Sequence, residues 1–447
     1  MKTVLMLARA FPPFFPVGHS IRVVKFIKYL RESDWLPVVL TIDDQRQYET
    51  SRKTGSETLL SEIEPPVKIY RTTAGEPSLK FVLKEEEFGR QNTPMAIVAR
   101  ILSKARHWAI WNLLVPEPMI TWLPFALRAG QEIVKQEKID VIFATCPPHS
   151  VVLIGACLKL LTGKPLVLDY RDDWIDTPWY LLKPAIRRWI ERRLERWAVN
   201  TADKVILVTD WSRRAFMNRY PTQPIDKFET ISNGYDFVDF AELNSISAAP
   251  RGSRFTIVHA GSLTDTKSWA RSPATLFQAI HEILQRQPEL AENLNVIFAG
   301  DFPSAHRTLA EEMGLSGVIK GVGHLPHTEV LRLLKSADLL LAINYEGFET
   351  LIPGKIYEYW ALGGPQILLL SCPGAAVDFV EQYKLGYTVD PSDVAGIQQA
   401  IMTAYDRHKT APPLRMSTAG VEAYDRKVLT GQLARVLSAA LAGQRRA

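Results

Sequence analysis

Three cysteines in 447 residues, Cys146, Cys157 and Cys372, argue against a disulfide framework, and their spacing without CxxC pairs argues against a zinc site; they are expected to be core thiols. Also missing is any run of the ~18 uninterrupted apolar residues that a membrane-spanning helix needs. The opening Met1 to Ala8 is too short for a secretory signal and reads as a first strand, so a cytosolic protein is expected. No Asp-x-Asp pair occurs, so a divalent ion held by such a pair is not expected, and neither is any other metal or cofactor. Neither sign of charge dominates: a net +5 with pI ≈ 8.9 is too mild to claim nucleic acid as a partner. What is present is ordinary globular composition, 47% hydrophobic and 23% charged, with enough chain for two cores of about 200 residues each.

Residues with a shared chemical purpose are densest between Asn344 and Pro373. The apolar run Ala337 to Ile343, broken only by Asp338, and the run Ile367 to Leu370 are each short and bounded enough to be buried strands. Between them, Pro353 and Gly354 open a helix of about two turns, since proline loses nothing at a helix start, and Gly363-Gly364-Pro365 closes it. Ile356, Tyr359 and Trp360 fall at i, i+3 and i+4 and are expected to face the sheet, leaving Lys355 and Glu358 together on another face. The unpaired N–H groups of a helix start suit a phosphate, Lys355 adds a full charge, and Glu358 could accept hydrogen bonds from two vicinal hydroxyls, as on a ribose. The same spacing also describes a surface ion pair worth only ~0.3 to 0.5 kcal/mol.

The chain opens with a βαβ unit: strand Val4 to Ala8, a helix through Ile21, Val24, Ile27 and Leu30, and strand Leu36 to Ile42. The loop Phe11 to Ser20, with Gly18 and His19, lies where open α/β sheets hold ligands, although it also fits a proline-stiffened connection. Tyr48 to Lys104 is polar and weakly periodic and reads as an insertion with one or two short elements. Trp108, Trp111, Trp122 and Phe125 then crowd a short span near Arg100, Lys104 and Arg106, which suits either a core or a membrane interface. Strand Asp140 to Ala144 ends before His149. Strand Pro165 to Asp169 ends in Asp169-Tyr170-Arg171-Asp172-Asp173-Trp174, a polar knot that either lines a site or forms a structural ion-pair cluster. The helix Lys183 to Trp197 carries five arginines, with Trp189, Ile190, Leu194 and Trp197 as its expected apolar face; a solvated surface and an anionic lipid or pyrophosphate partner are both open. Asn244 to Arg254 looks like a linker. A second series of the same kind starts at Phe255, where Gly261 and Lys267 follow the logic of a phosphate-binding turn.

The stretch Pro353 to Pro365 resembles the donor-binding signature of nucleotide-sugar-dependent glycosyltransferases of the GT-B fold, most closely family 4. That family carries two glutamates eight positions apart. Glu358 matches the second, which the resemblance implies holds the nucleotide ribose; eight positions back stands Thr350, with Glu349 beside it. Many relatives with a Pro-Ser/Gly-Lys loop also lack the first glutamate, so the departure bears on the sugar contact. The Pro12-Pro13 to Gly18 loop, Asp169 to Trp174 and Asn233-Gly234-Tyr235-Asp236 resemble further family elements, and the family's last helix crosses back to the N-terminal domain. Where the family shows Gly-Arg-Leu and then lysine, this chain has Gly261-Ser262-Leu263 and Lys267, so Arg271 could supply the missing charge.

The implied fold is two Rossmann-like α/β domains facing each other across a cleft: an acceptor-binding domain over 1–247, a nucleotide-sugar domain over 255–412 and a terminal helix over 413–447. The implied activity is retaining, metal-independent transfer of a hexosyl-type sugar from a nucleotide diphosphate to a hydroxyl, in cell-envelope or exopolysaccharide synthesis. Lys267 and Lys355 would stabilise the leaving diphosphate. Gly261, Ser262, Arg271, Pro353, Gly354 and Glu358 would complete the donor side, and Gly18, His19, His149, Arg171 and Asp172 the acceptor side. Asp172 and His149 are candidate bases by position. Partners would be a nucleotide sugar and a sugar or lipid-linked acceptor, the latter with peripheral association at the inner face of the plasma membrane. A non-catalytic nucleotide-sugar-binding protein and a sugar-nucleotide epimerase are the alternatives.

Overall fold

The computed structural model describes residues 1–15, 17–43, 56–63, 67–75, 110–111, 113–175, 177–241, 254–263, 272–344, 347–411 and 413–444. It separates into two compact units, one comprising Met1–Val208, Ala215–Ile231 and Thr430–Ala447, the other Thr209–Arg214 and Ser232–Leu429.

The first unit is built on seven parallel strands: β1 (Lys2–Leu7), β2 (Trp35–Ile42), β3 (Lys68–Thr72), β4 (Val141–Cys146), β5 (Leu166–Tyr170), β6 (Lys204–Leu207) and β7 (Phe228–Thr230), in the order β3-β2-β1-β4-β5-β6-β7. Helices cover both faces of such a sheet, so its central strands read as continuous apolar runs, and every residue of β4 and β5 is buried. The order reverses direction beside β1, so β1, β4 and β5 are neighbours. Their carboxyl ends meet in register, Leu7 opposite Ala144 and Cys146 opposite Tyr170.

Two strands of this sheet, β3 and β7, were not legible. β3 lies in the stretch expected to be an insertion, and its sequence Lys-Ile-Tyr-Arg-Thr lacks apolar continuity because an edge strand is covered on one side only; none of its residues is buried. Trp122 is fully buried, packs in the core and donates its indole N–H to Thr72 at 2.7 Å, whereas Trp111, Leu113 and Phe125 stay exposed. Trp108 lies outside the described residues.

The second unit has six parallel strands: β8 (Phe255–Ala260), β9 (Leu294–Ala299), β10 (Ile319–Gly323), β11 (Leu339–Ile343), β12 (Ile367–Leu370) and β13 (Gly386–Val389), ordered β10-β9-β8-β11-β12-β13. Here the reversal falls between β8 and β11, which pair through Ile257 and Leu339. The chain closes with helix Arg426–Gln444, whose later turns belong to the first unit: Lys2 Nζ donates to Ser438 at 3.4 Å, and Gln444 donates to the Gly163 carbonyl. The expected linker falls almost wholly outside the described residues.

Candidate functional site

In the second unit, strand β11, the helix Gly354–Ala361 and strand β12 follow in the expected order, with Pro353 at the N-cap and no side chain capping the helix. Ile356, Tyr359 and Trp360 are buried as their spacing requires, and so is Tyr357, because a second aromatic layer formed by Phe379 and Tyr424 covers its other side at centroid distances of 5.1 and 5.2 Å. Lys355 and Glu358 are half-buried and share the remaining face. Gly354 is exposed, and among the described residues a side chain there would meet nothing within 4 Å, which leaves space for a ligand at the helix start.

Lys355 reaches back over the end of β8. Its Nζ lies 3.1 Å from Nε2 of His259, a fully buried ring whose Nδ1 is 3.0 Å from the Leu341 carbonyl. A carbonyl accepts only, so Nδ1 carries the proton and Nε2 is left to accept from the ammonium. Gly261 makes room: its φ is +132°, and a Cβ there would sit 2.7 Å from Lys355 Nζ. Gly300, at φ +125°, lets the β9 turn approach just as closely, since a Cβ there would lie 2.7 Å from the Gly261 carbonyl carbon. Gly261, Pro353, Gly354 and Lys355 are therefore brought together at the strand ends. Lys267 and Arg271 lie outside the described residues.

Ser262, where the family shows arginine, donates from Oγ to Asp301 at 2.9 Å, and His324 meets the other Asp301 oxygen at 2.9 Å. Burial pushes the Asp301 carboxyl up, but hydrogen bonds from Ser262 and His324 outweigh it and hold the group below the usual Asp value. Glu349 turns inward, accepting the Gly347 N–H at 2.9 Å.

In the first unit the five acceptor-side candidates also converge, at the carboxyl ends of β1, β4 and β5. Gly18 and His19 are not loop residues as expected; they occupy the first turn of helix Val17–Leu30. Of the two readings of the Asp169–Trp174 stretch, Arg171 does not follow the ion-pair one. Its guanidinium donates to the carbonyls of Cys146 (3.1 Å), Pro147 (3.0 Å) and His19, tying three strand-end segments together. The ion pair instead belongs to Asp169, fully buried, which binds Arg22 at 2.9 Å and accepts from Thr145 at 2.7 Å.

His149 stacks on Trp174 with centroids 5.2 Å apart. Burial above all, then the charges of Lys183 and Arg171, pull its pKa to about 3 despite a hydrogen bond with the Asp172 backbone, so it is neutral at physiological pH. Its buried Nε2 has no partner among the described residues. Burial raises the Asp172 carboxyl, with Arg171 opposing, while burial and then Arg171 lower His19.

Glu117 was missed by the sequence reading. It accepts the Ser150 N–H at 2.8 Å and so occupies the start of helix Ser150–Thr162 with a protein carboxylate. Trp174 in turn donates to Glu191 at 3.0 Å, which Lys183 and Arg187 also bind at 2.7 and 2.8 Å. Helix Ala185–Thr201 thus buries Arg187, Glu191 and Glu195, while of the expected apolar face Leu194 and Trp197 pack partly buried against the core and Trp189 is exposed. A buried ion pair four apart, Arg187 with Glu191, and the buried Glu195 carboxyl four further on defeat hydropathy as a guide to the inward face.

The family model described as Glycosyltransferase Family 4 matches residues 98–238, and that described as Glycosyl transferases group 1 matches residues 254–407. Two curated relatives are D-inositol 3-phosphate glycosyltransferases. The one from Kribbella flavida is 26% identical over 34% of this chain and 37% of its own; the one from Corynebacterium glutamicum is 25% identical over 57% and 58%. The chain therefore spans from about a third to somewhat over half the length of these relatives. A solved glycosyltransferase from Rickettsia africae superposes with a TM-score of 0.63 at 13% identity, covering 98% of both chains, which speaks to the fold. With one glycosyltransferase model matching residues 98–238 of the first parallel-sheet unit and another matching residues 254–407 of the second, the chain is a glycosyltransferase-family chain with the GT-B fold.

Proposed function

We propose that this protein transfers a sugar from a nucleoside diphosphate to a hydroxyl acceptor, with retention and without a metal. The observation that carries the reading is the Lys355–His259 contact at 3.1 Å beside an uncapped helix start and Gly261. As the anomeric C–O bond breaks, its electron pair goes to the diphosphate. The negative charge that grows there is met by Lys355, by Lys267 and by the N–H groups of Gly354 and Lys355, which stabilise the transition state more than the ground state. Glu358 would hold the ribose hydroxyls. The acceptor oxygen then bonds to the anomeric carbon and gives up its proton. Asp172, its carboxyl raised by burial, is the candidate to receive it, while His149, pulled down to about 3, is too weak a base for that role.

Retention predicts that the product linkage has the same anomeric configuration as the donor sugar, readable by NMR. Metal independence predicts turnover unchanged by a chelator. A screen of nucleotide sugars by mass spectrometry, scoring nucleoside diphosphate formed with and without candidate acceptors, identifies the donor. Nucleoside diphosphate and glycoside in equal amounts support transfer. A nucleotide sugar that binds but is never consumed supports a non-catalytic binder, a reading that Ser262 and Thr350 at the family positions favour. An isomerised nucleotide sugar supports an epimerase.

Envelope or exopolysaccharide synthesis with a lipid-linked acceptor extends the same proposal. It is supported by the exposed Leu181, Leu182, Ile186 and Trp189 next to Arg188, Arg192 and Arg193, an arrangement that suits the inner face of an anionic membrane. No described helix is long and apolar enough to cross one.

A further inference from the structure

Arg192, Arg196 and Arg219 line a cavity of about 230 Å³ in the first unit, together with Ile175 and Tyr220. Arg192 and Arg196 stand four apart on helix Ala185–Thr201, and Arg219 ends helix Asp210–Arg219. Like charges at this spacing repel by a few tenths of a kcal/mol in water, and more where a concave wall excludes solvent. Among the described residues no carboxylate pairs with Arg192 or Arg196; the Arg192 guanidinium lies over the Tyr180 ring at 5.7 Å.

Arg219 pairs with the carboxyl of Glu195, which has no exposure at all. Its Oε2 accepts from Arg219 at 2.9 Å and from the Tyr220 hydroxyl, while its Oε1 has no partner among the described residues. Burial, with the neighbouring Asp173 and Glu191 carboxylates, pushes its pKa up to about 8 in spite of the Tyr220 hydrogen bond. Arg192 and Arg196 therefore reach the cavity with no carboxylate partner among the described residues, while Arg219 is shared with Glu195. Guanidinium forks match two oxygens of a phosphate at once, which is the geometry an ammonium lacks.

We propose that this cavity binds a phosphate-type anion, a phosphomonoester or the end of a diphosphate, held by Arg192, Arg196 and Arg219. All of its lining residues belong to the first unit, and the proposal does not depend on glycosyl transfer. Two sources share the chemistry: a free phosphorylated metabolite and a lipid headgroup, the latter suited by the exposed Ile186 and Trp189 on the same helix.

The test uses the full chain carrying Lys355→Ala, which removes the charge at the donor helix. Pyrophosphate is titrated by calorimetry at low salt, and sedimentation is measured with phosphatidylcholine vesicles doped with either phosphatidic acid or phosphatidylserine to the same negative surface charge. Adding Arg192→Gln and Arg196→Gln, both at exposed positions, is expected to weaken pyrophosphate binding at least tenfold. If free pyrophosphate is the weaker ligand, the same pair of substitutions is expected to abolish a preference for phosphatidic acid over phosphatidylserine. The first result assigns a soluble ligand and the second a headgroup. Pyrophosphate binding indifferent to the two substitutions, or no pyrophosphate binding together with equal sedimentation on the two vesicles, overturns the proposal. Unchanged thermal unfolding of the variant excludes misfolding as the cause.

Discussion

Lys355 donates to a histidine whose other nitrogen is already committed: Nε2 of His259 lies 3.1 Å from Lys355 Nζ, and Nδ1 lies 3.0 Å from the Leu341 carbonyl. A flexible four-carbon stem is thereby held over Gly261 before any donor arrives, and the tautomer that holds it is fixed by the backbone of β11.

His259 is therefore expected to act as a positioning residue. His259→Ala should lower kcat about 10- to 100-fold, the equivalent of losing a charged hydrogen bond of ~1.5 to 3 kcal/mol, with a smaller change in donor affinity. His259→Asn, which keeps an acceptor, should recover part of the loss. For Lys355→Ala, and for Lys267→Ala, turnover should fall more than donor binding because the leaving charge grows in the transition state. Equal losses in kcat and affinity would mean that these groups only bind ground-state phosphate.

Glu358→Gln keeps the shape of the side chain and removes its charge. Donor affinity is expected to fall by about 1 to 3 kcal/mol with unfolding temperature unchanged. Calorimetry that shows wild-type donor affinity in this variant would rule out the ribose contact.

Glu195 gives a pH signature. Its folded value is raised from 4.5 to about 8, chiefly by burial, so between those values the folded protein holds a proton that the unfolded chain has released. The associated stability is full below pH 4.5 and is lost as pH rises through about 8, at ~1.4 kcal/mol per unit of displacement. Glu195→Gln cannot lose that proton. The stability of the wild type relative to the variant, from denaturant unfolding, should decline across this window; a constant difference would mean that the carboxyl is ionised throughout.

Membrane binding should depend on the exposed side of helix Ala185–Thr201. Ile186→Ser with Trp189→Ala, or Arg188, Arg192 and Arg193 changed to glutamine, should weaken sedimentation with anionic vesicles, the arginine variant more so as salt falls. Arg187 is left alone because it is buried against Glu191 and its loss would strand that charge. Absence of vesicle binding at low salt would favour a soluble acceptor.

The donor helix was legible because Pro353, Gly354 and Gly363-Gly364-Pro365 are local stop and start signals, and Ile356, Tyr359 and Trp360 obey the helical period. The central strands were legible as apolar runs. What escaped was set by contacts between distant positions. His259 and Glu117 gain their roles from Lys355 and Ser150, 96 and 33 residues away. Arg171 looks like an ion-pair residue until the carbonyls of Cys146, Pro147 and His19 surround it. β3 carries an edge strand's mixed sequence, and helix Ala185–Thr201 hides its charges because Trp174, Lys183 and Arg219 satisfy them.

The central claim is sugar transfer driven from the Lys355 helix start, and the most direct measurement is nucleoside diphosphate and glycoside formation by the full chain across a panel of nucleotide sugars and hydroxyl acceptors. The account predicts that one donor yields both products in equal amounts, only with acceptor present, and that Lys355→Ala suppresses both while the protein still binds that donor. A donor that binds wild-type protein tightly and is returned intact or epimerised with every acceptor would contradict it.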